Sequence, residues 1–230
     1  MALRSTRKIH SYRGNRLQTL PDVLPITVTE LQTHLRLTAT SADELIYLSD
    51  LIQEVTQEAE DATGLALITQ VWKLTLDRWP HGREEWWDGE REGHIDLIYG
   101  GNRQNYTSVV LPRYPLQTVD TVNVYDEAGT ATAVTIANVF DIDTQSLRGR
   151  MTIKRGATWP TALRANNAIE ITYSAGYGDA AVSVPSPIKR AIKQWAAYAY
   201  EHRGDGCTVE DAYTASGAKN ILNRYREIGV

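Results

Sequence analysis

The sequence has almost no cysteine, and this scarcity excludes two kinds of protein. A single cysteine, Cys207, stands among 230 residues, so neither an internal disulfide nor a cysteine-based zinc site can form. No apolar run reaches the length of a membrane span, and the basic N-terminus is not followed by the apolar stretch of a signal peptide. We therefore expect a protein that is made in the cytosol and has no membrane partner.

Catalytic motifs are missing as well. The sequence contains no phosphate-loop lysine motif and no Gly-x-Ser-x-Gly elbow. The pair Gly176 and Gly178 is not followed by the helix and third glycine of a dinucleotide fingerprint. We therefore expect no enzyme, no cofactor and no metal site.

A metal site could be drawn from residues that lack a recognised spacing: His81, Asp88, His94 and Asp96. Two pairs of acids could be drawn as a glycosidase: Asp141 with Asp143, and Glu84 with Glu85. Histidines in a charged loop are usually solvated, and paired acids are too common to indicate a glycosidase without a cleft. A hydrolase that uses His81, Glu84 and Glu85 is the third of three functional hypotheses.

The overall composition is that of an ordinary globular protein. The chain is 42% hydrophobic and 23% charged, with a formal net charge of -4. Its length allows one large domain or two small ones, each with a proper core. Net acidity argues against nucleic-acid binding as the function of the whole protein.

The clearest structural signal is an amphipathic helix over 41–64. Its apolar positions alternate three and four residues apart along one stripe: Leu45, Leu48, Ile52, Val55, Ala59 and Ala62. Ser41 and Glu44 have the spacing of a reciprocal capping box, and Gly64 supplies the left-handed stop.

The polar face of this helix has charges of one sign only. It carries seven carboxylates and no lysine or arginine: Asp43, Glu44, Asp50, Glu54, Glu58, Glu60 and Asp61. Three of these acids lie in the last turns, where the helix dipole disfavours them. The face is either solvated or covered by a basic surface on the same chain or a neighbouring one.

The N-terminal region is basic. Residues 1–16 carry five cations and no acid, so we expect residues 1–25 to form a flexible arm. The arm is either a solvated tail or a segment that orders on an acidic neighbour or on phosphate. A short helix follows, in which Thr27 and Glu30 form a capping box and Ile26 packs on Leu31, and it should lie on the long helix.

From residue 65 the pattern changes to the alternation of half-buried strands. Trp72, Leu74 and Leu76 face one way, and further strands are predicted at 95–98, 109–111, 119–125, 139–142, 151–154 and 169–173. Turn residues separate them, which predicts an antiparallel sandwich or barrel. The charged loop 78–93 contains Trp79, Trp86 and Trp87, which either fold back over the sandwich or form a contact surface.

Helical periodicity returns near the C-terminus. Ser186 as N-cap and Pro187 open a helix that Gly204 ends. Residues 205–216 indicate a linker, and a last amphipathic segment follows at 217–227. Such a short terminal helix docks either on its own bundle or on another molecule.

Seven pieces occur in a characteristic order: ITVTELQTHLRL, AEDATGLALITQVWKLTLDRWP, VVLPRYPLQTVDTVNVYDEAG, RGRMTIKRGATWP, AIEITYSAGYG, VPSPIKRAIKQWAAYAYEHRG and ILNRYR. Together they resemble the head-tail connector (adaptor) proteins of long-tailed phages, prophages and gene transfer agents. The resemblance spans 26–226, nearly the whole chain. The basic arm before Ile26 and the length of the tryptophan-rich loop depart from the family pattern.

The resemblance implies an α+β fold. A small helical bundle (26–64 and 186–204) would carry a β-sandwich-like domain (65–185) inserted between its second and third helices. Residues 205–230 would form a linker and a C-terminal helix that docks on the portal. The residues implied for that portal interface are Ala218, Lys219, Ile221, Leu222, Arg224, Tyr225 and Arg226.

The same resemblance implies a virion protein of the neck. It would form a ring of about twelve subunits between the portal protein and the tail-side stopper or neck protein. DNA would pass through the ring without sequence-specific binding. The alternative function is a ligand-binding module in which Trp79, Trp86 and Trp87 hold a carbohydrate or a cell-surface ligand.

Overall fold

A computed structural model describes residues 12–79, 108–205 and 208–226. Within these ranges the chain forms eight strands and six α-helices, an α+β fold. The described residues divide into two compact units, which we call the helical unit (17–72, 112–117, 174–205 and 208–226) and the β unit (12–16, 73–79, 108–111 and 118–173). The helical unit therefore takes in segments at 65–72, 112–117 and 174–185 that the sequence assigned to the inserted β domain.

The strands form two sheets. In chain order they are β1 (Tyr12–Thr19), β2 (Gln70–Leu76), β3 (Ser108–Val110), β4 (Leu116–Tyr125), β5 (Ala131–Ala133), β6 (Phe140–Asp143), β7 (Arg150–Ile153) and β8 (Ile169–Ala175). A five-stranded sheet has the order β1-β2-β8-β4-β5, and a three-stranded sheet has the order β3-β7-β6. In the smaller sheet β7 is antiparallel to both neighbours.

Strand β2 follows the predicted alternation. Gln70, Trp72, Leu74 and Leu76 are buried while the residues between them are partly exposed. The predicted strands at 109–111, 119–125, 139–142, 151–154 and 169–173 correspond to β3, β4, β6, β7 and β8, with ends shifted by up to three residues. The strand predicted at 95–98 lies outside the described residues.

Strand β1 corrects the expectation of a flexible arm. Tyr12–Thr19 occupies one edge of the five-stranded sheet, and the Tyr173 hydroxyl donates to the side-chain oxygen of Asn15 at 3.0 Å. Backbone pairing to a preformed sheet stabilises a polar segment that cannot fold alone.

The helices are α1 (Val28–Leu35), α2 (Ala42–Thr63), α3 (Ile136–Val139), α4 (Ser186–Glu201), α5 (Val209–Ala215) and α6 (Ala218–Leu222). All except α3 belong to the helical unit. Both hydrogen bonds of the predicted capping box join Thr27 and Glu30 at 3.1 Å, and Ile26 and Leu31 are wholly buried. Helix α2 begins after Ser41 and ends at Gly64, as the sequence indicates.

Three local predictions near the C-terminus are wrong in detail. Pro185, not Ser186, is the N-cap of α4, and the helix ends with His202 as C-cap, before Gly204. The predicted linker contains α5, which a capping box between Thr208 and Asp211 opens. No helix among the described residues is long and apolar enough to cross a membrane.

Candidate assembly interface

The C-terminal segment docks on its own unit. Ala218, Ile221 and Leu222 are at most 8% exposed and belong to the core cluster that α2 and α4 also line. These three side chains therefore stabilise the subunit and cannot also serve as a free apolar face. The implied interface residues that remain exposed are Lys219, Arg224 and Arg226, with Tyr225 half-buried.

Tyrosines hold this segment near the end of α2. The Tyr114 hydroxyl donates to the carbonyl oxygen of Thr63 and lies 3.4 Å from that of Tyr225. Burial raises the pKa of Tyr177 to about 12, with Tyr225 and Tyr114 nearby as further causes. The side chain of Tyr177 is therefore neutral at physiological pH, so it can be buried beside the other two phenols without a charge.

One acid of α2 is buried rather than solvated. Glu60 accepts hydrogen bonds from the Leu67 amide at 2.8 Å and from the Gln70 side chain at 2.8 and 3.0 Å. Burial raises the pKa of Glu60, and the hydrogen bonds from Leu67 and Gln70 oppose that rise. The carboxylate thus ties α2 to the chain that leads into β2.

Arg113 supplies a basic partner at the same place. It donates to the carbonyl oxygen of Glu60 at 2.8 Å and forms an ion pair with Asp61. Its guanidinium lies 4.6 Å from the ring centroid of Trp72, whose indole N–H donates to Gln70 at 3.1 Å. A basic group on the same chain therefore meets the last turn of the acidic face.

The first turn of α2 is engaged differently from the prediction. The Ser41 hydroxyl accepts from the Glu44 amide at 3.2 Å, but the Glu44 carboxylate accepts a hydrogen bond from the Tyr200 hydroxyl. Tyr47 also packs against Tyr200, with 6.2 Å between ring centroids. Glu44 therefore joins α2 to α4 instead of completing the capping box. Leu45, predicted for the buried stripe, is 39% exposed.

The remaining acids of α2 are exposed. Asp43, Asp50, Glu54 and Glu58 make no side-chain hydrogen bond or ion pair within the described part of the chain. Three cations of α4 also make no side-chain hydrogen bond or ion pair among the described residues: Lys189, Arg190 and Lys193. Arg190 is exposed, and the two lysines are half-buried. Among the described residues, the acidic face of α2 and the cations of α4 thus have no side-chain partners in the helical unit.

Trp79 is a core residue and not a contact residue. It is 1% exposed, with ring centroids 5.0 Å from Phe140 and 5.4 Å from Trp159. Of the two alternatives for Trp79, folding back over the sheets is the one observed. Trp86 and Trp87 lie outside the described residues.

The candidate catalytic residues do not form a site among the described residues. His81, Glu84, Glu85, Asp88, His94 and Asp96 all lie outside the described residues. Asp143 accepts from Ser146, Gln145 and Arg150, and Asp141 lies 3.8 Å from Lys154, so both hold local structure. A concavity of about 420 Å³ in the β unit is lined by neither of them. Within the described ranges no three His, Cys, Asp or Glu side chains group as metal ligands.

Comparison with known proteins gives a consistent result at the level of fold. No family model matches the sequence, and no curated protein matches it. A chain in the neck of an empty GTA particle computed with C6 symmetry superposes with a TM-score of 0.68 and 24% identity, over 95% of this chain and 97% of that chain. This chain has the GTA neck fold.

Two further structures agree. A chain in the virion of a native gene transfer agent (GTA) particle gives a TM-score of 0.66 at 24% identity, covering 94% and 96% of the two chains. A chain in the neck of a native GTA particle computed with C12 symmetry gives 0.65 at 22% identity, covering 95% and 97%. The GTA neck fold thus accounts for almost the whole length of each chain.

Sequence reasoning missed Arg113, which organises the helical unit of this GTA neck fold. Its partner Asp61 is 52 residues away, and no local pattern connects the two. The available signal was energetic: Glu60 and Asp61 stand where the helix dipole disfavours them, which indicates a cation nearby without saying which one.

Proposed function

We propose that this chain is a structural adaptor in the neck of a phage-like or gene transfer agent particle, with no catalytic activity. The observation that carries the proposal is the superposition on a GTA neck chain over 95% of this chain and 97% of that one. A likeness that leaves out no domain of either chain supports a shared place in an assembly better than a likeness between single domains.

The proposal includes a ring. The related neck structures were computed with C6 and C12 symmetry, and cyclic symmetry requires one surface of each subunit to meet a different surface of the next. A ring of about twelve subunits between a portal protein and a tail-side stopper is the arrangement we propose. The chain would be made in a bacterial cytoplasm and used in the virion neck.

A ring of this kind would form part of a DNA channel. The formal net charge of -4 suits that role, because a basic lumen would bind phosphates and slow the passage of DNA. DNA would therefore pass through without sequence-specific contact.

The portal contact is proposed for the exposed side of the C-terminal segment. Lys219, Arg224 and Arg226 are exposed, while Ala218 and Leu222 fix the segment in the core. Deleting this segment would open the core and confuse lost attachment with lost folding. Reversing the three exposed charges leaves the buried side chains in place and separates the two effects.

The experiment compares Lys219→Glu/Arg224→Glu/Arg226→Glu with the wild type for attachment to capsids that carry a portal but lack this protein. We expect attachment to weaken by at least about tenfold, because a like-charge contact costs several kcal/mol in a complementary interface. Thermal unfolding of the isolated variant should match the wild type.

The matched control is Arg155→Glu, which reverses an exposed cation of the β unit and should attach normally. Undiminished attachment of the triple variant would overturn the proposed portal contact. Absence of the wild-type chain from purified particle necks would overturn the adaptor function itself.

A further inference from the structure

An exposed acidic helix face and a partly exposed basic one remain in the helical unit, and the proposed ring needs two such surfaces. The first, the α2 stripe, lies along one exposed side of α2: Asp43, Ile46, Tyr47, Asp50, Glu54 and Glu58. At 1.5 Å per residue it is about 22 Å long. The stripe also exposes apolar surface, since Ile46 is 61% exposed and Tyr47 is 39% exposed.

The second surface, the α4 patch, consists of Lys189, Arg190 and Lys193. These are the cations of α4, and Lys189 lies in its first turn, where the helix dipole disfavours positive charge. Glu58 lies near the C-terminal end of α2, where the dipole disfavours negative charge. Local helix stability therefore favours Asp43, in the first turn of α2, but explains none of the other charges of the two faces.

Most of the two faces lies away from the core that α2 and α4 share, although Tyr47 at the margin of the α2 stripe contacts Tyr200 of its own chain. Helices α2 and α4 contribute their buried stripes to one core cluster, which includes Ile52, Val55, Ile188 and Ile192. The exposed stripe of each helix lies opposite its buried stripe. Asp50, Glu54 and Arg190 therefore lie on the outer sides of the two helices, where they can pair between two chains.

The two faces also lie at the same height along the bundle. Tyr200, near the end of α4, contacts Glu44 and Tyr47 near the start of α2, so the helices run antiparallel. Arg190 lies ten residues before Tyr200, and Glu54 lies ten residues after Glu44. Since both helices rise by the same amount per residue, Arg190 and Glu54 lie at the same height along the helix pair.

We propose that the α2 stripe of one subunit binds the α4 patch of the next subunit, head to tail, in the neck ring. A contact between two different faces is heterologous, and such contacts make rings when the rotation closes and filaments when each step also climbs. Equal height of the two faces favours closure when the helices run along the ring axis. The inference rests on the proposed function and names the partner of this surface as a second copy of the chain.

The charges also predict that the contact depends on ionic strength and on the concentration of subunits. Exposed ion pairs are individually weak and are screened by salt, with a Debye length of about 8 Å at physiological ionic strength. Several pairs around the exposed Ile46 and Tyr47 give specificity without strong self-association. Ring closure would then depend on a high local concentration of subunits, such as a portal surface provides.

The first test uses crosslinking of the full chain at low salt, with Cys207→Ser to remove the native thiol. The variant Glu54→Cys/Arg190→Cys should give a ladder of oxidised multimers, because each subunit joins two neighbours. Each single cysteine variant should stay monomeric. A dimer from Glu54→Cys alone would show a symmetric α2 contact, and no ladder from the double variant at high protein concentration would also overturn the proposal.

The second test reverses the charges. In a background with Asp50→Cys/Lys193→Cys, Glu54→Lys/Glu58→Lys gives both faces a net positive charge, and Lys189→Glu/Arg190→Glu gives both a net negative charge. Neither variant should crosslink through a cysteine pair at Asp50 and Lys193, and a loss of at least about tenfold in ladder yield is expected for each. An equimolar mixture should recover the ladder, since alternating subunits are again complementary at both contacts.

The matched controls are Glu127→Lys and Arg155→Glu, exposed charges of the β unit, which should leave the ladder unchanged. Failure of the mixture to recover overturns the pairing of these two faces. These tests need only the purified chain, so a negative result here together with normal occupancy of particle necks would reject the interface and leave the proposed function standing.

Discussion

The surfaces of the two units satisfy their charges in different ways. In the β unit Lys73 pairs with Glu170 at 3.3 Å and Arg150 pairs with Asp143 at 3.0 Å. In the helical unit the acids at the middle of α2 and the cations at the start of α4 have no such partners among the described residues. The β unit pairs both signs locally, whereas the helical unit pairs Asp61 with Arg113 but keeps its other acids of α2 and the cations of α4 on separate helices.

This difference shows which surface depends on another molecule. Interspersed charges keep a surface soluble and complete by itself. A face of a single sign repels itself and is best neutralised by an opposite face. The helical unit is therefore the better candidate for contacts between copies.

The interiors differ too. The β unit contains an aromatic cluster in which Trp79, Phe140 and Trp159 lie with ring centroids 5.0 to 5.7 Å apart. The helical unit adds to its apolar core a buried carboxylate, Glu60, with donors from Leu67 and Gln70. A substitution in the interior of the β unit therefore lowers stability mainly by leaving a cavity. A substitution in the interior of the helical unit can also remove buried hydrogen bonds.

The largest expected effect comes from opening the aromatic cluster. Trp79→Ala should lower the free energy of unfolding by about 3–5 kcal/mol, because it removes a wholly buried ring and leaves a cavity. Denaturant unfolding followed by far-UV circular dichroism measures the loss. Capsid attachment per folded molecule should not change, since Trp79 is buried.

Trp79→Phe is the graded variant, because a smaller ring refills part of the cavity and should cost clearly less than alanine. Val110→Ala, at a side chain that is 38% exposed on the same unit, should change stability by less than about 0.5 kcal/mol. A Trp79→Ala protein as stable as the wild type would contradict the assignment of Trp79 to the core.

The buried carboxylate comes next. Glu60→Ala should cost about 2–4 kcal/mol, because it strands the Leu67 amide and the Gln70 side chain without their acceptor. Glu60→Gln keeps an acceptor oxygen for the Leu67 amide and should cost less. Thermal or denaturant unfolding at neutral pH distinguishes the two.

Glu58→Ala is the matched control, two residues away on the same helix but exposed. Its stability should stay within about 0.5 kcal/mol of the wild type. Equal losses at Glu58 and Glu60 would mean that helix content, and not the buried hydrogen bonds, controls stability here.

How far the sequence predicts this fold depends on whether the signal is local. Helix α2 carries its own caps at Ser41 and Gly64 and an apolar stripe, so its limits could be predicted to within a residue. The strands with alternating apolar residues, such as β2, could be predicted for the same reason. Edge strand β1 could not, because its stability comes from pairing with a distant strand.

The candidate site was less predictable. The capping box of Thr208 and Asp211 is a local signal that would have revealed α5, with aspartate in place of the usual glutamate. The Arg113 contacts join residues about fifty positions apart and have no such signal. Whether the apolar side of α6 binds its own core or another molecule is a tertiary outcome, and the sequence left both open.

The smallest expected effect concerns the paired surface of the β unit. Hydrogen bonds from the Ser146 hydroxyl at 2.6 Å, the Ser146 and Gln145 amides, and Arg150 lower the pKa of Asp143 from 3.8 to about 2. A carboxyl whose pKa is lower in the folded state than in the unfolded state stabilises the fold above the unfolded value. Its contribution is therefore present above about pH 4 and is lost as the pH falls toward 2.

Asp143→Asn should remove this pH dependence, because the amide does not titrate. The difference in unfolding free energy between wild type and variant should be constant above about pH 4 and shrink between pH 4 and 2. Ser146→Ala should narrow that window, since the Ser146 hydroxyl is the largest cause of the shift. A difference that stayed constant down to pH 2 would show that the pKa of Asp143 is the same in the folded and unfolded states. The hydrogen bonds to Asp143 would then not stabilise the β unit, which would contradict the contrast with the unpaired charges of the helical unit.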